Sequence, residues 1–200
     1  MNDYTATLVP DFSYHVYNRA IGSDNLFTQS GNYDFFLQKY KEYILPVADT
    51  FCYCLMPNHF HFLIRIKNEK ALIKSFSNLS SVNSKEQNDL ISKQFSNFFN
   101  SYAKAFNKQQ RRNGSLFSRP FKRRLVTDEK YLHKLVHYIH HNPVESGFSQ
   151  TPESWNYSSY KNLISNVPTF LYREEVIGWF DDVENFKYIH QNSPEFTGIE

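Results

Sequence analysis

No stretch of this 200-residue chain approaches the ~20 consecutive apolar residues of a membrane-spanning helix. The opening MNDYTATLVP has neither a basic nor an apolar segment, so nothing marks it as a secretory leader. Cysteine is scarce. Cys52 and Cys54 are the only two, and on one strand they point the same way, too close in sequence for an easy disulfide. No Gly-x-Gly-x-x-Gly or Gly-Lys-Ser loop is present to cradle a nucleotide phosphate. These absences predict a soluble cytoplasmic protein in a reducing compartment. The length suits one domain, 1–150, with an extension, 151–200, packed on it.

Acidic residues are also missing from Tyr102 to Arg124, while Lys104, Lys108, Arg111, Arg112, Arg119, Lys122, Arg123 and Arg124 all fall there. Beyond Gln150 the balance reverses, with eight Asp or Glu against three Lys or Arg. A net charge of only +2 therefore hides a polyanion-binding stretch and an acidic tail able to screen it. Aromatics are abundant, with 19 Phe and 14 Tyr. They predict a Phe-rich core, with a minority of rings available to stack on bases.

Periodicity supplies the elements. FSYHVYNR (12–19) alternates as a strand, with His15, Tyr17 and Arg19 on one face. A helix capped by Asn32 carries Phe36, Leu37, Tyr40 and Ile44 and ends before Pro46. Strands FCYCL and HFHFLIRI flank a turn at Pro57-Asn58. A long amphipathic helix runs from Asp89 to the Asn113-Gly114 turn. A basic strand, FKRRLV (121–126), leads to a helix capped by Thr127 or Asp128 and stopped by Pro143. SWNYSSY (154–160) reads as an aromatic anchor and YREEVIGWF (172–180) as a short helix. The order predicts an α+β, ferredoxin-like βαββαβ antiparallel sheet with helices on one face, then a further helix after the last strand and a C-terminal aromatic and acidic extension.

On the strand HFHFLIRI, Phe60, Phe62 and Ile64 share the face that meets the helices. His59, His61 and Arg65 point to the other face, where two parallel imidazoles make half a metal site. In YLHKLVHYIHHNPV, Leu132, Leu135, Val136 and Ile139 form the buried stripe and His133, His137 and His140 face away. Tyr138 and Asn142 lie one turn apart on its flank. Laid over the open face of the sheet, this helix brings a phenol and an amide oxygen to the histidines. That donor set suits Mg²⁺ or Mn²⁺ acting on a phosphate.

HVYNRA (15–20), MPNHFHFLI (56–64), NGSLFSRPFK (113–122) and YIHHNPVESG (138–147) occur in that order. Over roughly residues 10–165 these blocks resemble the single-tyrosine HUH transposases, and in particular the REP-associated tyrosine transposases. The resemblance implies a ferredoxin-like core, a divalent metal and single-stranded DNA hairpins from palindromic repeats as partner. It implies His59 and His61 as metal ligands, Tyr138 as nucleophile, and Asn142 as the residue that helps hold the metal. Many insertion-sequence members carry glutamine in that last place. The Asn-Pro-Val sequence fits the REP-associated branch and leaves monomer or homodimer open. Tyr138 would attack the phosphodiester, expel a 3′-hydroxyl and leave a 5′-phosphotyrosine that a second 3′-hydroxyl can reverse. Lys104 to Arg124 would track the DNA backbone, and Arg19 and Arg65 would contact phosphates near the cut. Alternatives are a catalytically silent hairpin-binding protein, a zinc protein using Cys52, Cys54, His59 and His61, and an HUH replication initiator or relaxase.

Overall fold

The computed structural model describes residues 4–76 and 84–194. The chain runs β1 (Ser13–Arg19), α1 (Ser30–Tyr43), β2 (Ala48–Met56), β3 (His59–Ile66), α2 (Glu69–Ser75), α3 (Ser84–Gln109), β4 (Lys122–Val126) and α4 (Glu129–Glu145). A 3₁₀ turn (Pro152–Ser154) and helices α5 (Tyr160–Ile164), α6 (Arg173–Trp179) and α7 (Val183–His190) follow. The four strands form one antiparallel sheet in the order β2-β3-β1-β4, which with α1 and α3 on one face is the ferredoxin-like arrangement.

Alternation decides which face is which. Val16, Phe60, Phe62 and Ile64 meet α1 and α3 through Phe36, Tyr40, Phe95, Phe98 and Tyr102, all of them buried. The rings of Tyr40 and Phe62 stack at 4.1 Å, and the Tyr40 hydroxyl bonds Thr50 Oγ1 at 2.8 Å. Truncating Phe62 to alanine removes a fully buried ring from the middle of this cluster. A loss of about 3–5 kcal/mol is expected, measured as a lower urea midpoint with an unchanged slope.

The opposite face, bearing His15, Tyr17 and His61, is covered by α4 through Leu135, Val136, Tyr138 and Ile139. Edge strand β2 is buried along all nine residues because the C-terminal segment satisfies its outer side. Leu55 N–H donates to the Tyr157 carbonyl, Ser159 N–H to that of Tyr53, and Tyr172 N–H to that of Thr50. An otherwise open sheet edge is thereby closed. Trp155 donates its indole N–H to the Leu55 carbonyl, and Tyr157 stacks on Tyr33 at 3.6 Å.

Several expectations change. The N-cap of α1 is Gln29, not Asn32, and Asn32 Oδ1 instead accepts the Thr28 and Gln29 N–H groups from inside the first turn. Helix α3 starts at Ser84, ahead of Asp89, and the short α2 precedes it, with 77–83 between them outside the described residues. Helix α4 is capped by Asp128 and runs through Pro143 to Glu145. A proline in the last turn forfeits one hydrogen bond only. The stop comes instead from Gly147, just past the Ser146 C-cap, whose φ of 72° is the left-handed conformation that closes helices. Of the acidic tail, Glu195 and Glu200 lie outside the described residues.

Candidate functional site

The β2–β3 hairpin holds the site's first residue. Its Pro57 carbonyl accepts from Leu26 and Phe27, and the Asn58 carbonyl from Ala20, so the turn is tied to the chain after β1. His59 follows, half-buried, with Nδ1 2.7 Å from Asn58 Oδ1 and Nε2 3.0 Å from Asn142 Oδ1. His61 is fully buried, its Nδ1 2.9 Å from His15 Nε2 and its ring edge-on to Tyr138 at 5.6 Å. Asn142 Nδ2 donates to the Tyr138 hydroxyl at 3.3 Å, one helical turn away. His59, His61, Tyr138 and Asn142 of one chain thus converge, with α4 laid over the histidine-bearing face of the sheet.

The donor set fits a hard divalent cation. A neutral imidazole has one N–H to give, yet His59 meets an amide oxygen at each nitrogen. With Nδ1–H given to Asn58, the Nε2 lone pair faces a second lone pair on Asn142 Oδ1, the setting for a cation shared between them. The two atoms stand 3.0 Å apart, close enough for both to serve one cation. The zinc alternative finds no such support. Among the described residues no three His, Cys, Asp or Glu gather as a metal site.

Beside the histidines lies a cleft of about 440 Å³ lined by Asn18, Arg19, Asn58, Ser118, Pro120 and Lys122. An adjoining groove of about 750 Å³, between α3 and the 114–121 loop, carries Lys104 and Arg119 and shares Asn18, Ser118 and Pro120 with the cleft. Lys108 and Arg111 stand exposed at the end of α3. Arg124 lies over the Tyr131 ring on the histidine side of the sheet.

The remaining cations are engaged elsewhere. Arg112 braces its own loop through Asp24 and Asn107, and Arg123 donates to the Ala6 carbonyl on the helix-facing side of β4. Arg65 corrects an expectation. Pairing aligns it with Ser13, while His59 aligns with Arg19 at the other end of β1. Its guanidinium is held bidentately by Glu175 at 2.8 and 3.1 Å, with Asp49 at 3.6 Å, so it anchors α6 rather than the site. Tyr17 is 5% exposed and stacked on His15 at 4.6 Å, which makes it packing for the histidines rather than a platform for bases.

His137 and His140 do not face solvent as expected, because α7 covers them. His140 is bonded to His190 at 3.1 Å and to Ser159 Oγ at 2.7 Å, while His137 Nε2 meets the Asn192 carbonyl at 2.8 Å. Burial first, then the neighbouring imidazoles, holds His140 well below its ordinary value and pushes His190 down to about 3. Depressed values mean that the unfolded chain takes up protons near pH 6.5 that the folded one refuses. Stability is therefore full above pH ~6.5 and falls as pH drops, by about 1.4 kcal/mol per unit for each such histidine. Thermal melts are expected to change little from pH 7.5 to about 6.5 and to shift steadily downward from there to pH 5.

Two site residues were not assigned from sequence. Strand alternation places His15 on the correct face, but the residue directly across from His61 is Tyr17, and His15 reaches it diagonally. Asn58 reads as a turn former, and nothing in its spacing announces a bond to His59.

In this mixed α+β fold, paired histidines on one face of the sheet meet a tyrosine and an asparagine carried by the helix that covers that face. No protein-family model matches the chain. A Haemophilus influenzae protein named for the REP-associated tyrosine transposases is 27% identical over 115 residues, covering 56% of this chain and 58% of that protein. The chain thus matches little more than half of that relative's length. The solved structure of a REP-associated tyrosine transposase bound to a REP hairpin shares the fold at a TM-score of 0.55 and 13% identity, over 88% of this chain and 93% of that one. The relative bears the name of the family that the four motifs resemble, and the solved structure shares the fold. Among the described residues no helix is long and apolar enough to cross a membrane.

Proposed function

We propose that the protein is a transposase that cleaves and rejoins single-stranded hairpin DNA through a 5′-phosphotyrosine on Tyr138. The convergence of Tyr138, Asn142, His59 and His61 in one chain is the observation that carries this reading. The named relative and the hairpin-bound structural neighbour support it.

His59, His61 and Asn142 would hold a divalent ion, Mg²⁺ or Mn²⁺. When bound, that ion polarises the scissile phosphate and offsets charge on its oxygens. Arg19 and Lys122 in the cleft position the phosphate, and Lys104 and Arg119 continue the cationic path along the adjoining groove. The Tyr138 oxygen forms a bond to phosphorus as the bond to the 3′-oxygen breaks. The phenolic proton is lost, and the departing 3′-oxygen takes one up. Asn142, bonded to the Tyr138 hydroxyl, fixes the direction from which the nucleophile approaches. Because the new bond is still a phosphodiester, attack by another 3′-hydroxyl rejoins the strand without ATP.

Covalent capture tests the proposal. A hairpin labelled at its 3′ end is incubated with the protein and Mn²⁺ and resolved on a denaturing gel. The label is expected to migrate with the protein, because the downstream fragment carries the linked 5′-phosphate. Salt-sensitive binding with no adduct would instead leave a hairpin-binding protein without catalysis.

A further inference from the structure

His61 can serve a cation from Nε2 only if its single neutral proton resides on Nδ1. What lies against Nδ1 therefore matters as much as what lies against Nε2. We propose that His15 is a positioning residue, the acceptor on β1 that holds the His61 proton on Nδ1 and so keeps the Nε2 lone pair available to a divalent cation. This rests on reading His59, His61 and Asn142 as a metal site.

Three observations converge on it. Both imidazoles are fully buried, and His15 Nε2 lies 2.9 Å from His61 Nδ1, inside hydrogen-bonding range. Two neutral rings share one proton across that contact. If His15 donates it, the His61 proton sits on Nε2 and blocks ligation. If His61 donates it, Nε2 is a ligand. The His15 ring is also fixed in place, stacked on Tyr17 at 4.6 Å with planes 22° apart, so it presents Nε2 to a defined point. Finally, His59 has the same design. Its Nδ1 meets Asn58 Oδ1 at 2.7 Å, so each histidine has a neutral acceptor at Nδ1. Ligand histidines characteristically give their second N–H to such a partner, and losing it typically weakens metal binding 10–100-fold.

The test uses the full chain with Mn²⁺ and Mg²⁺ as probes. His15→Gln keeps an oxygen where Nε2 stood, whereas His15→Phe keeps a ring without an acceptor. If phenylalanine is not accommodated, as judged by thermal melting, His15→Leu gives the same contrast. Mn²⁺ affinity by electron paramagnetic resonance is expected to fall about 10–100-fold in the variants lacking an acceptor and to stay near wild type in His15→Gln. In the Mg²⁺-loaded wild type, ¹⁵N spectra are expected to show His61 protonated on Nδ1 with coupling across the bond to His15 Nε2. A His61 proton on Nε2, or wild-type Mn²⁺ affinity in folded His15→Phe or His15→Leu, would overturn the assignment. His59→Ala separates this failure from that of the metal site. If Mn²⁺ binding is absent in wild type or unaffected in His59→Ala, the metal reading falls and takes the His15 role with it. If binding is sensitive to His59 but not to His15, only the positioning role is lost.

Discussion

Replacing Tyr138 by phenylalanine is expected to abolish covalent joining of protein to DNA, a fall of at least about 10³-fold in adduct yield, while hairpin affinity and fold persist. The ring is 5% exposed, and phenylalanine retains its packing against His61. What disappears is the oxygen to which Asn142 Nδ2 donates at 3.3 Å. A neutral hydrogen bond of this kind is worth about 1 kcal/mol, small beside the packing that phenylalanine keeps. Adduct yield, hairpin binding and melting temperature measured on one preparation separate the outcomes. An adduct that survives in the variant would mean another nucleophile.

Removing either histidine of the proposed metal site is expected to lower cleavage by about 10²–10³-fold, the range for losing a preorganised contribution to transition-state charge. The two substitutions should differ in stability. His59 is half-buried at the start of β3, so His59→Ala costs little structurally. His61 is fully buried among His15, Tyr17 and Tyr138, and His61→Ala opens a void and strips His15 Nε2 of its partner. A destabilisation of about 2–4 kcal/mol follows. Parallel melts and adduct assays check both parts. Equal stability of the two variants would contradict the packing described for His61.

Much of this was legible beforehand because it rests on local patterns. Alternation in HFHFLIRI separates the phenylalanines from the histidines, and the four-residue step from Tyr138 to Asn142 stacks them on one helix flank. The ferredoxin-like order follows from the sequence of elements. What escaped depends on partners that no local pattern encodes. His15 reaches His61 across a diagonal set by strand register, and Arg65 lies at the far end of that same register, where Glu175 and Asp49 claim it. His137 and His140 read as solvent-facing because nothing in α4 announces that α7, some fifty residues on, packs over them. The continuation of α4 past Pro143 escaped for a different reason. Proline bars the interior of a helix far more strongly than its last turn.

The most direct test of the account is the chemical identity of the protein–DNA link. The adduct formed with Mn²⁺ on a 3′-labelled hairpin would be digested with trypsin and nuclease and the modified peptide sequenced by mass spectrometry. The account predicts a nucleotide 5′-phosphate on Tyr138 and a free 3′-hydroxyl on the released fragment. A nucleotide on any other residue, or cleavage that leaves a free 5′-phosphate with no protein attached at any time, would contradict it.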